Sequence, residues 1–195
     1  MFSKPVFRHL AIALAVAALA LPGLAQDSGH DKDDKLDVSS SMGDLHLGKD
    51  ANAQKVGLPL YPGARPQQKG DNDPLNFGIM TEAFGFKIVV AKYESDDAPG
   101  KVLDFYRDKL KRYGKVLECH TKEHGGDVSM NDDDDKDSER AKPVKCDGDN
   151  TGPVTELKVG TEDHQRVVAV EPGSSKGGTT FALIYLHARG KQGDI

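Results

Sequence analysis

The residues best suited to chemistry crowd between Cys119 and Lys158. "DGDNTG" places Asp147, Asp149 and Thr151 at positions 1, 3 and 5 of a calcium loop, with Gly152 at position 6. Oxygen ligands at that spacing followed by a turn glycine are what an EF-hand loop needs. Position 12, however, is Lys158 rather than the bidentate acid. The pattern therefore reads as a weak calcium site or as a plain polar turn. The preceding run Asp132–Asp135 fails the same test, because Ser138 and Val144 fall where Gly and Glu belong. Such a run condenses divalent ions without fixed geometry, or is simply solvated. Cys119, His120, His124 and Cys146 include two soft and two imidazole donors, but they lack the paired spacing of a closed zinc site.

Nucleophilic catalysis finds no motif. There is no Gly-x-Ser-x-Gly, and neither cysteine has an activating base in reach of the sequence. Ser175 and Lys176 sit in a glycine-rich hairpin tip, and His164 and His187 have no evident acid partner. No catalytic residue is assigned. The two cysteines read instead as one disulfide, Cys119–Cys146. The loop it closes is long, so chain entropy predicts a stabilisation of about 3 kcal/mol.

That pairing presumes an oxidising compartment, and the N-terminus supplies one. Lys4 and Arg8 precede an apolar run, Leu10 to Leu21, and small residues Gly23 and Ala25 follow. This is the pattern of a secretory leader, residues 1–25, cleaved after Ala25. The run is short of the roughly 20 residues a spanning helix requires. The product is expected in the periplasm or outside the cell, with no transmembrane segment. The chain carries 26 basic and 31 acidic residues, a net charge of −5, and loss of Lys4 and Arg8 makes it −7. Without a basic cluster, nucleic acid and anionic membrane surfaces are poor partners.

The elements that would position any site are legible in part. Residues 26–55 are polar and read as partly disordered, with one weak edge strand near 36–47 and a short helix capped by Asp50 and ended by Gly57. The domain proper spans 56–190, with a polar insertion at 121–153 and a tail at 191–195. Strands are predicted at 76–81, 84–93, 115–120, 166–172 and 179–189, and residues 155–161 are ambiguous. Residues 96–114 form the main helix. Asp96 or Asp97 caps it, Pro99 occupies its first turn, and Val102, Tyr106, Leu110 and Tyr113 share one face. The expectation is an α+β domain: an antiparallel sheet of about four to six strands with one main helix across one face.

"GLPLYPGARP", "FGFKIVVAKYESDDAPGKVLDFYRDKLKRYGKVLEC" and "GGTTFALIYLHARG" together resemble a class of small exported bacterial proteins of unknown function. In that class a Tyr-Pro-Gly-Ala segment precedes a β-α-β core. The resemblance covers residues 56–190 and implies a fold and a compartment, with no cofactor or catalytic residue. Function then reads as non-enzymatic, a binding or cell-envelope role. The partner is a small apolar ligand or an envelope protein. Phe84, Phe86, Tyr106, Tyr113, Phe181 and Tyr185 are the candidates to line an apolar pocket between helix and sheet, or else to pack as core. The rival readings are a hydrolase with an acidic site, and a weak divalent-cation binder through residues 127–151.

Overall fold

Alternating side chains and turn signals produce nine strands among the described residues. The computed structural model describes residues 35–67, 74–122, 142–146, 148–173 and 177–190. The expected leader therefore lies outside the described residues, as do the aspartate run, His124, Asp147, Ser175 and Lys176. All described residues belong to one unit, Lys32–Ile195. In chain order they give β1 (Lys35–Ser40), β2 (Gly43–Gly48), α1 (Ala53–Val56), β3 (Arg65–Pro66), β4 (Leu75–Met80) and β5 (Gly85–Ser95). There follow α2 (Pro99–Leu110), a 3-10 turn (Lys111–Tyr113), β6 (Leu117–Thr121), β7 (Val154–Thr161), β8 (His164–Pro172) and β9 (Thr179–Arg189).

The strands form one antiparallel sheet in the order β1-β2-β4-β5-β9-β8-β7-β6, with β3 on the far end of β5. The expected α+β class with four to six strands is thus corrected to a mainly β fold with one main helix. The additional strands had physical reasons to stay hidden. β1 and β2 are mostly exposed, so their apolar residues mark no buried face. β7 places Glu156 and Lys158 at buried positions, which spoils its alternation.

One face of the sheet holds the main core. Val89, Ala91 and Tyr93 of β5, Phe181 and Leu183 of β9, Val168 and Val170 of β8, and Leu157 and Val159 of β7 pack beneath the helices. Helix α2 covers them with Val102, Tyr106 and Leu110, the stripe its spacing predicts. Its N-cap is Ala98, with no side-chain bond to the helix. Asp97 instead accepts from the Tyr61 hydroxyl at 2.8 Å and from Lys101 at 2.7 Å. Helix α1 has Asn52 as N-cap, not Asp50, and Gly57 ends it at φ 81°, a left-handed conformation that glycine adopts without strain. Its first amide, Ala53 N–H, donates to the Tyr93 hydroxyl at 2.9 Å. So short a helix is marginal alone, and this bond docks it on the sheet.

The opposite face carries a smaller cluster: Val154, Val167, Ala169, Ala182 and Ile184. Cys119, directly across from Glu156, lies on this side and is fully buried. It forms the expected disulfide with Cys146, with a Cα–Cα distance of 5.4 Å. No helix among the described residues is long and apolar enough to cross a membrane.

Candidate functional site

The helices cover only part of the main face. Towards β1 the same face continues uncovered, and there the register aligns polar side chains. Asp37 lies opposite His46, His46 opposite Gly78, and Gly78 opposite Lys87. Opposite residues in an antiparallel ladder point to the same side. A row of the sheet therefore reads Asp, His, Gly, Lys, and the missing side chain at Gly78 leaves a trough. The trough is an open cleft of about 380 Å³, lined chiefly by Asp37, Asp44, His46, Lys55, Asn76 and Lys87.

One wall is a closed network. The Asn76 amide nitrogen donates to Asp50 Oδ1 at 2.9 Å and stands 2.7 Å from His46 Nε2. Its two hydrogens serve both partners, which makes Nε2 an acceptor. Nδ1 is then the protonated nitrogen, and it donates to Asp37. Lys55 closes the chain on Asp50 Oδ2. The bonds from Lys55 and then Asn76 hold the Asp50 carboxyl far below the usual range for an aspartate. The bond from His46 likewise lowers Asp37. Asn76 is buried, and its side-chain carbonyl oxygen accepts no hydrogen bond among the described residues. By contrast, no side-chain hydrogen bond or ion pair among the described residues engages Lys87 or Asp44, although both line the cleft.

The structure disperses the six aromatic residues expected to line a pocket. Tyr106 and Phe181 are fully buried, with ring centroids 5.6 Å apart, and belong to the core. Desolvation raises the Tyr106 hydroxyl well above an ordinary tyrosine. Phe86 alternates with the core residues of β5, so it faces the other side, where it meets Phe77 at 6.1 Å. Phe84 sits in the β4–β5 turn, its carbonyl accepting from Thr81. Tyr113 and Tyr185 flank Arg166, whose guanidinium lies 3.9 and 4.9 Å from their ring centres.

The metal candidates are also placed. Asp149 is held by Lys122 at 3.0 Å, and that bond, then one from Thr151, lowers its carboxyl. Asn150 between them accepts the His120 amide at 2.7 Å, which ties the turn to β6. Asp147 lies outside the described residues. Among the described residues no three His, Cys, Asp or Glu side chains converge as a metal site.

Glu156 and Lys158 are a further buried polar pair, on the face with the disulfide. Lys158 Nζ is 3.2 Å from Glu156 Oε2, an ion-pair distance without hydrogen-bond alignment. They share a strand and a face, and they flank no described cleft.

Sequence reading missed the cleft residues. The available signal was the period-two series Asp37-x-Ser39 and Asp44-x-His46, out of phase with Leu36-x-Val38 and Leu45-x-Leu47. The chain matches no protein-family model, and no curated protein and no solved structure is significantly similar to it.

Proposed function

We propose that the chain is an exported, non-enzymatic binding domain and that the β1–β5 cleft holds a small polar solute. The observation that carries this reading is the division of labour among the charges. Both nitrogens of His46 are used inside the wall, so the ring offers no free lone pair for proton abstraction. The wall is therefore rigid rather than reactive. Lys87 and Asp44 remain for a guest, above a floor that Gly78 leaves bare. The leader-like N-terminus supports export, and the disulfide agrees with an oxidising compartment.

Gly78 supplies the test. A Cβ added there meets nothing closer than 3.8 Å, and its backbone is in a region open to any residue. Gly78→Val should fold and partly fill the trough. Thermal shift against a panel of amino acids, organic acids and sugars is expected to find a class that raises the melting temperature of the natural protein. Gly78→Val should lose that response. A panel without effect, or a response that survives in Gly78→Val, removes the cleft reading.

A further inference from the structure

Beyond Lys87 the polar row continues. Lys87 lies opposite His187 on β9, and His187 opposite His164 on β8. The two imidazole rings are 4.8 Å apart, centre to centre. Arg166 and Tyr185 occupy the next positions on the same face, and the Tyr185 hydroxyl is 3.4 Å from His164 Nε2. A chain of net charge −5 has thus gathered a lysine, two histidines and an arginine on neighbouring strands of one face. The acids flanking His164 are accounted for, while Asp44 lines the cleft with Lys87. Asp163, in the β7–β8 turn, accepts from Thr161, and Glu162 beside it pairs with Lys145. Arg189, one row further along β9, donates to the Thr81 carbonyl. Arg166 donates to the Val56 carbonyl and is stacked between rings, so its position is fixed. The side chains of Lys87 and His187 have no hydrogen-bond or ion-pair partner among the described residues.

We infer that Lys87, His187 and His164 form a subsite for an oxyanion, the carboxylate, sulfate or phosphate group of the solute held in the adjoining cleft. The inference deepens the cleft reading and rests on it. Lys87 belongs to both, since it lines the cleft and starts the row. Two imidazolium ions side by side repel each other, and an anion between them removes the penalty. Burial, then His187 and Arg166, already hold His164 below an ordinary histidine. An anion binds the protonated rings, so binding takes up protons. Affinity must then fall as pH rises through the histidine range, about 5 to 8.

Sulfate is the probe, because its charge is constant over that range. Histidine ring signals are followed by NMR during sulfate titration, with chloride at matched ionic strength as control. At low pH sulfate should shift the rings of His164 and His187 to saturation. Affinity should weaken at least about fivefold at high pH, and about fivefold again in Lys87→Gln, the loss of one nearby charge. Lys87 is exposed, so Lys87→Gln should fold, and an unchanged amide spectrum checks this. Ring shifts that follow chloride equally, or an affinity indifferent to pH and to Lys87→Gln, overturn the subsite. The solute panel and the sulfate titration separate the two readings. If the solute panel fails while sulfate still titrates the rings, the cleft is wrong and the anion row stands. If sulfate fails while the panel responds, the reverse holds.

Discussion

Asp50 is the residue on which the cleft wall turns. Lys55 and Asn76 stabilise its ionised form in the folded chain, and neither bond survives unfolding. Its folded pKa is therefore depressed, and the unfolded chain binds the proton more readily. The stabilisation is fully present above the unfolded value, about 3.9, and is lost as pH falls below it. Urea midpoints measured from neutral to strongly acid pH should show this acid limb. Asp50→Asn should start lower at neutral pH and show a shallower decline. An unchanged slope would assign the acid sensitivity to other carboxylates. The contact at the centre of this wall could not be read from the chain, because Asp50 and Asn76 meet only through the pairing of β2 with β4. Asp97 misled for a related reason. It stands where a helix cap belongs, yet its carboxylate is used by Tyr61 and Lys101. The disulfide was legible, since two cysteines allow one pairing.

Helix α1 is an element held from outside. Its last carbonyls have no helical partners, as at every helix end. Arg166 donates to Val56 O at 3.0 Å, while Arg112 and Tyr113 donate to Gly57 O. These side chains come from β8 and the 3-10 turn, so α1 is bound to the far half of the sheet. Arg166→Ala removes one donor and the stack on Tyr113 and Tyr185. Each such bond is worth about 1 kcal/mol net, and the stack adds a similar amount. Global stability should drop by about 2 kcal/mol, with amide exchange rising first in residues 53–57. Uniform acceleration throughout the sheet would mean that Arg166 supports the core and not the helix. The elements themselves were unequally legible. β9 and the buried stripe of α2 follow from pattern alone, because α2 buries one apolar series at helical period and β9 is a nearly continuous apolar run buried on both faces. The β1–β2 hairpin was read as one weak strand. Its Ser-Met connection lacks the Asn-Gly signal, and neither of its faces is fully covered.

At the scale of the whole molecule, β9 joins two half-sheets. β1, β2, β4 and β5 lie on one side of it, and β8, β7 and β6 on the other. Every position of β9 from Thr179 to Arg189 pairs with β5, and nine of its eleven residues also pair with β8. Leu183 sits at its middle, fully buried in the main core. Leu183→Asp places a charge there at a cost of several kcal/mol, a large share of a typical domain's stability. Amide exchange in β2 and β7 should then lose protection together, as one cooperative unit. Retained protection in either half would show that it folds by itself.

The position of β9 also sets a clock. Of the nine strands it is the last to be synthesised, yet the pairing of both halves runs through it. Until residues 179–189 emerge, β5 and β8 each present an unpaired inner edge, the kind of surface that holding chaperones and neighbouring chains can occupy. For a chain proposed to be exported behind a secretory leader, that delay is useful if it crosses before it folds. Closure of the sheet waits for the end of the strand series, so threading can begin before the fold can resist it.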